Sequence, residues 1–550
     1  MPDISSQENN KKLFFSGVVA LTIANILVKV IGVFFKIPLQ HSIGDEGMGY
    51  FNSAYTIYTL FFMISTAGLP VAVSILVSQS RAKGNLRRVR RIFRLVLATF
   101  LVIGTVGMLL MFFGARAFAG LIKNEASYYC IMAIAPTIFF ICASSALRGY
   151  FQGFQRMYPT SVSEVIEAIG KVLIGILAAK FALSRGYPLP VVAAYAIVGV
   201  TVGVALGMLY MILSKLICER KGKLTLLAPV DDDAEVESRR VLLGQLLKIA
   251  LPIALTASVS SLTSMLDLGI MMRRLQSSGL MNAEEANAFY GNYTTLAVPM
   301  FNLPPVLIYP ISYSIVPLLS SLFAAGNRGR AKQVIESALR FSAMLAIPCA
   351  LGLSALAGPI LRLLYSDESS ATAAPMLSIL AIAVFFVGML AVTNAVLQAC
   401  GKAHLPVVSM VAGGAVKLVS SYILIGEIGT AGTPVSTVLC YVTAVVINMI
   451  FVIKYTGIMP SVVKTYVRPL FASALGIACA CLVYRVLSER VLGGDLSTLV
   501  SICIAVLIYL PAVFLLRCIT EDDVLVLPKG ERIARILRRA HLLPSGKKEA

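Results

Sequence analysis

Residues 371–399 read ATAAPMLSILAIAVFFVGMLAVTNAVLQA, with no charged side chain from one end to the other. A helix needs about 20 apolar residues to cross roughly 30 Å of hydrocarbon, where no water satisfies a backbone left outside a helix. The stretch is therefore predicted to span a membrane. Working outward from it, comparable apolar runs occupy approximately 13–39, 48–79, 92–113, 127–147, 160–183, 188–214, 245–272, 287–320, 337–364, 405–426, 430–453, 465–485 and 497–517. The fold class that follows is an all-α integral membrane protein of about fourteen transmembrane helices. The first run is too long for a signal-peptide core and lacks a small-residue cleavage motif, so it is read as a retained helix. The eighth holds Pro299, Pro304, Pro305, Pro310 and Pro317 and offers a place for a break.

Composition agrees. Of 550 residues, 58% are hydrophobic and only 13% charged, with a mean hydropathy of +0.85; a soluble domain carries about a quarter charged residues. The net charge of +20 does not point to nucleic acid, because the basic residues sit in short clusters between apolar runs. The N-terminus, 81–94, 148–156, 215–240, 328–340, Lys402, 454–468 and the tail from Arg517 hold about 33 of the 47 Lys and Arg. The alternate loops (Arg116, Lys123, Arg185, Arg273, Arg274, Arg485, Arg490) hold about 7. This asymmetry places both termini in the cytoplasm of a multi-pass plasma-membrane protein. Seven of the ten cysteines fall inside these apolar runs and Cys400 just past the end of one, and no ligand spacing links them or the three histidines, so no metal or cofactor is expected. With no Trp, Tyr must supply any aromatic belt.

The chain resembles itself at an offset near 242–246. Ala82-Lys83-Gly84-Asn85 with Arg88 returns as Ala325-Gly326-Asn327 with Arg330, and Gln152 and Lys171 return as Gln398 and Lys417. Pro159 and Pro406 open the helices that carry those lysines. Six helices per copy is an even number, so the copies are parallel lobes related by an axis along the membrane normal. The predicted organisation is an N-terminal lobe 1–217, a cytoplasmic linker 218–243, a C-terminal lobe 244–456, two further helices in 457–519 and a cytoplasmic tail 520–550. In the tail, Ile533, Ile536, Leu537 and Ala540 share one face and Arg532, Arg535, Arg538 and Arg539 the other, as in a helix lying on anionic lipid. Prolines at 252, 348 and 375 mark bending points or packing kinks.

Charges within the spans carry the functional information. Lys29, Lys36, Lys171 and Lys417 lie at bilayer depth, with Glu164, Glu167 and Asp267. Each would cost about 2.5–3.5 kcal/mol facing lipid, so each should face a cavity or a partner. Lys29 and Lys36 share a helix face, as do Glu164, Glu167 and Lys171. Two readings of the latter stripe are open: internal pairing of Glu167 with Lys171, or a wet cavity. Lys36 either lines that cavity or snorkels to the outer interface. Lys29 and Lys417 have no acidic neighbour on their own helices.

Gly44-Asp-Glu-Gly-Met-Gly-Tyr-Phe-Asn-Ser-Ala-Tyr55 and Ser65-Thr-Ala-Gly-Leu-Pro-Val-Ala-Val-Ser74 resemble helix 2 of the stage V sporulation protein B family. Leu147-Arg-Gly-Tyr-Phe-Gln-Gly-Phe-Gln155, Pro159-Thr160 and Ser163 to Glu167 resemble its fourth loop and fifth helix. That family belongs to the polysaccharide-transporter branch of the multidrug/oligosaccharidyl-lipid/polysaccharide flippase superfamily, which includes MurJ-type lipid II flippases. The resemblance implies a non-enzymatic protein, a monomer, moving an undecaprenyl-diphosphate-linked saccharide to the outer leaflet, with helices 13 and 14 forming a groove for the lipid tail. It also implies that Lys29-Val-Ile-Gly32 is the family's helix 1 basic motif. The MurJ-type arginine of helix 8 has no counterpart within 287–320, which leaves Arg273, Arg274 and Lys417 as second-lobe candidates.

The substrate-binding set is thus Lys29, Lys36, Lys171, Lys417, Arg273 and Arg274, and the ion-coupling set Glu164, Glu167 and Asp267. No residue is assigned a catalytic role. A cation-coupled multidrug exporter would favour an acidic cavity, which the deep lysines oppose and the three acids favour. A polyprenyl-dependent glycosyltransferase would need a large outer loop bearing carboxylates, and the longest outer loop expected is only about fourteen residues.

Overall fold

The computed structural model describes residues 4–220, 237–490 and 494–519. The tail helix expected at 524–543 and the acidic run Asp231-Asp232-Asp233 lie outside them. The helices are α1 (Ile4–Thr66), α2 (Leu69–Ala82), α3 (Leu86–Phe113), α4 (Ala115–Leu121), α5 (Tyr128–Ile134), α6 (Pro136–Gly153), α7 (Tyr158–Ser184), α8 (Leu189–Arg220) and α9 (Arg239–Ser277). They continue as α10 (Ala283–Asn292), α11 (Val298–Ala324), α12 (Arg328–Ala355), α13 (Ala357–Arg362), α14 (Asp367–Ala399), α15 (Leu405–Ile428), α16 (Gly432–Thr456), α17 (Arg468–Arg490) and α18 (Gly494–Leu515). No strand occurs among the described residues. Each of the fourteen predicted runs falls on helix. Among the described residues, ten stretches qualify as membrane spans by length and hydropathy alone; two of them, Val30–Arg81 and Leu405–Thr456, are 52 residues long and each joins two helical segments.

The first of these shows how. Inside α1, Gly44 adopts φ 66° and ψ −176°, a conformation that costs a side chain dearly, and the chain turns there between two helical segments. The predicted second run, 48–79, is broken once more at 67–68, where α1 ends and α2 begins. The eighth run breaks as its prolines suggest. Tyr293–Ala297 widens into a π-helical turn just before Pro299, where the ring would clash with the carbonyl of residue 295 in a regular helix. Proline also has no amide to offer that carbonyl, and the Tyr365 hydroxyl donates to it instead, at 3.3 Å. Burial pushes the Tyr365 phenol up to about 12, which keeps it a neutral donor. A second π-helical turn, Val463–Val467, precedes Pro469 in the same way.

The chain packs as two compact units, 1–291 and 292–550. In the first, α6 is the central helix, packed by α2, α3 and α8. Its run Cys142-Ala-Ser-Ser-Ala146 is wholly buried, because small side chains let neighbouring helices approach closely. In the second unit α14 holds the central place among α11, α12 and α16. The long helix α9 packs against α1, α2 and α3, so the first unit extends beyond the linker at 218–243.

The internal repeat reaches the backbone. Asn85 caps α3, its side chain accepting from the Arg88 amide at 2.7 Å, and Asn327 caps α12, accepting from the Arg330 amide at 3.1 Å. The glycines before them, Gly84 and Gly326, have φ of 69° and 68°. After the central helices, Gln155 and Gly401 take φ of 59° and 73°.

Candidate functional site

The first unit contains a cavity of about 300 Å³ lined by α1, α6, α7 and α8. Its walls are mostly apolar or aromatic (Val28, Ile31, Phe35, Tyr55, Tyr58, Phe62, Ile141, Val200), and four ionisable groups face it: Arg148, Glu164, Glu167 and Lys171. Sequence spacing put the last three on one stripe of α7, and the structure places all three at the cavity.

The pairing is not the one the helix spacing suggested. Glu167 does not pair with Lys171. Its Oε1 accepts from Nη2 of Arg148 on α6, at 2.5 Å, with the two side chains only 13% and 16% exposed. The Arg148 Nε–H also donates to the Ser163 hydroxyl at 3.2 Å. Counting basic residues had placed Arg148 in a cytoplasmic loop. α6 instead runs on to Gly153 and carries the guanidinium inside the fold. Two acids on α7 with a single lysine on the same stripe was the one signal that a further base had to come from elsewhere.

Lys171 takes a different environment. Its ammonium sits 5.1 Å from the Phe35 ring centre and 4.9 Å from that of Tyr55, a cation–π arrangement worth on the order of 1–2 kcal/mol when sheltered from water. Lys36, on the same helix as Phe35, is half-buried and close enough to feel the charge of Lys171. Glu164 faces the cavity, and its Oε2 is buried with no hydrogen-bond partner among the described residues.

Glycines on α8 hold this part of α7 in place. A Cβ on Gly203 would meet the Glu167 carbonyl at 2.6 Å and the Lys171 amide nitrogen at 2.8 Å. One on Gly199 would meet the Lys171 carbonyl at 2.9 Å. Only glycine lets α8 press directly on the turn that bears both charges.

The remaining candidates lie elsewhere. The side chain of Lys29 is outside the described residues, although its neighbours Val28, Ile31 and Gly32 line the cavity. Lys417 is half-buried on α15 in the second unit, within electrostatic reach of Tyr441 on α16. Arg273 is exposed and Arg274 half-buried near the end of α9, while Asp267 is buried earlier on the same helix. None of these three is among the described residues lining the cavity.

The second unit has a groove of about 450 Å³ between α11, α12, α13, α17 and α18. Met300, Leu303, Pro304, Leu353, Ile477 and Val506 are typical of its walls. Its two hydroxyls are already used: Tyr509 donates to the Met344 carbonyl at 2.6 Å and Ser473 to the Pro469 carbonyl at 2.7 Å. What the groove offers a ligand is hydrocarbon.

These features define a multi-pass α-helical membrane protein with ionisable side chains gathered around a cavity among its helices. Within that class, the chain belongs to the polysaccharide biosynthesis protein family, which it matches over residues 14–323. Residues 294–423 also match the MatE family. The chain is 25% identical to the lipid II flippase MurJ of Bacillus subtilis (strain 168) over 480 residues, covering 84% of this chain and 87% of that one. It is 25% identical to stage V sporulation protein B of the same organism over 408 residues, covering 74% and 77%. Among solved structures it is similar to the lipid II flippase MurJ in an inward closed conformation, with a TM-score of 0.66 at 15% identity, covering 90% of this chain and 98% of that one. It is also similar to an inward-facing multidrug resistance MATE family transporter of the MOP superfamily, with a TM-score of 0.64 at 13% identity, covering 80% and 98%. The resemblance carried by residues 44–74 and 147–167 is confirmed.

Proposed function

We propose that this protein is a flippase that carries a polyprenyl-diphosphate-linked saccharide from the cytoplasmic to the outer leaflet of the plasma membrane. Two parallel lobes, 1–217 and 244–456, rock about the substrate by alternating access, and the protein acts as a monomer with both termini in the cytoplasm. The observation that carries this reading is the cavity that gathers Arg148, Glu164, Glu167 and Lys171 inside apolar helices. A diphosphate cannot cross hydrocarbon bare, and a chamber with fixed positive charge replaces its hydration. Arg148 neutralises Glu167, so Lys171, with Lys36 nearby and Lys29 on the cavity-lining helix, supplies the charge for the phosphates. Lysine binds them as a point charge, with no bond made or broken. Lys417 on α15 is the counterpart in the second lobe, and Arg273 and Arg274 near the end of α9 add further positive charge. The apolar groove beside α17 and α18 suits the polyprenyl tail, and it explains two helices that stand outside the repeat.

The test is complementation of a strain depleted of its lipid II flippase, read by the accessibility of precursor at the outer leaflet. Lys171→Ala should insert normally and fail to complement; complementation at the parent level would remove Lys171 from the site. A second reading, a cation-coupled multidrug exporter, is favoured by the buried and unpartnered Glu164 oxygen and by the MATE-like fold. Glu164 would then be the coupling group, with Asp267 a further candidate. Drug efflux from vesicles driven by an ion gradient, together with failure to complement, would select that reading.

A further inference from the structure

Phe35 and Tyr55 stand twenty residues apart on α1, a distance that a straight helix would stretch to about 30 Å. The turn at Gly44 folds the chain back between them, and both rings reach one atom. The Lys171 ammonium lies 5.1 Å from the Phe35 ring centre and 4.9 Å from that of Tyr55. Phe51, fully buried, backs both rings, its centre 6.1 Å from that of Phe35 and 6.3 Å from that of Tyr55. One turn beyond Lys171 on α7, Gly175 leaves room for the Phe35 ring: a Cβ there would meet two ring carbons at 3.3 and 3.4 Å. Among the described residues Lys171 is in no ion pair. The repeat sets an aromatic side chain beside the matching lysine as well. Lys417 is within electrostatic reach of Tyr441, whose ring centre lies 6.0 Å from that of Phe301.

An acid beside a sheltered base cancels its charge, as Glu167 does for Arg148. An aromatic face works differently. It attracts the ammonium through the ring quadrupole and carries no net charge, so the lysine keeps its full positive charge toward the cavity. A lysine stem is also flexible, and fixing it on a ligand costs entropy at the moment of binding. Two rings that fix it beforehand take most of that cost out of the binding step. We propose that Phe35 and Tyr55 are positioning residues for the cargo's phosphates: they hold the Lys171 ammonium in place without cancelling its charge, and leave its N–H groups for phosphate oxygens. The assignment rests on the reading of Lys171 as a phosphate ligand. The ring face does the holding, so the Tyr55 hydroxyl is not required.

The experiment measures binding of undecaprenyl diphosphate to the purified full-length protein in detergent micelles, counted by native mass spectrometry, so that no transport step intervenes. Lys171→Met should lose about tenfold to a hundredfold in affinity. Tyr55→Leu, at a half-buried position, should lose about tenfold, and Tyr55→Phe, which keeps the face and drops the hydroxyl, should stay within about twofold of the parent. In the Lys171→Met protein the same Tyr55→Leu change should cost nothing further. Phe35→Leu repeats the measurement from the other ring and covers the case in which Tyr55→Leu fails to fold. An equal loss from Tyr55→Leu with and without the lysine would show that the ring acts on its own, and would overturn the positioning role while leaving Lys171 in the site. A loss in Tyr55→Phe as large as that in Tyr55→Leu would assign the effect to the hydroxyl and overturn it too. Undiminished binding by Lys171→Met would overturn the phosphate reading of Lys171 itself, and the positioning role with it.

Discussion

Replacing one partner of the Arg148–Glu167 pair should destabilise the protein far more than replacing both. The two side chains are 2.5 Å apart and 13% and 16% exposed, so water screens them little. With charge centres about 4 Å apart and an effective dielectric near 20, their attraction is about 4 kcal/mol. Desolvation offsets much of that in the folded state, so the net worth of the pair is small. Losing one member is different: it leaves the other buried and uncompensated, at a cost of about 3–5 kcal/mol. Glu167→Gln and Arg148→Gln should each show that loss, and the double variant should return to within about 1–2 kcal/mol of the parent. Unfolding in mixed detergent micelles, followed by circular dichroism across all four proteins, measures the coupling. Single losses below about 1 kcal/mol that simply add would mean the pair is solvated, and the reading of it as a sheltered pair would be wrong.

Gly203→Ala forces a methyl against the backbone of α7 and should cost about 1–3 kcal/mol, while Gly329→Ala, which meets nothing within 4 Å, should be neutral or gain a few tenths of a kcal/mol; thermal unfolding of the two side by side decides. Asn85→Ala and Asn327→Ala each remove a helix cap and should cost about 1 kcal/mol apiece, and a large loss at one with none at the other would show the repeat to be local resemblance only. Val506→Trp fills the apolar groove from an exposed position and should abolish complementation with membrane insertion unchanged, whereas parent activity would show that no lipid tail uses it.

The fold was legible because lipid imposes one rule on every span: apolar outside, backbone bonded within. Runs such as 371–399 carried that rule openly, and the matching Gly-Asn pairs at 84–85 and 326–327 turn out to make the same helix cap. The breaks were harder to see. Gly44 reads as one glycine among 41, and its turn follows from φ 66°, which no composition discloses. The π-helical turn before Pro299 was signalled by proline, but its compensation came from Tyr365, dozens of residues away in the chain. At the site, helical spacing placed Glu164, Glu167 and Lys171 on one face correctly. It could not rank a partner on the same helix against one on the next. Arg148 prevailed because α6 packs beside α8 and α7, a tertiary fact. Phe35 and Tyr55 were missed for the same reason: aromatic residues in an apolar run look like filler until a lysine is found over their faces.

The groove at α17 and α18 has a consequence for what the protein discriminates. With the hydroxyls of Tyr509 and Ser473 both spent on carbonyls, its walls keep no directional contact with which to count isoprene units or sense a double bond. Tails of different length should therefore be handled alike. Choice among cargoes is left to the head, where a few fixed charges must tell one sugar-bearing diphosphate from another.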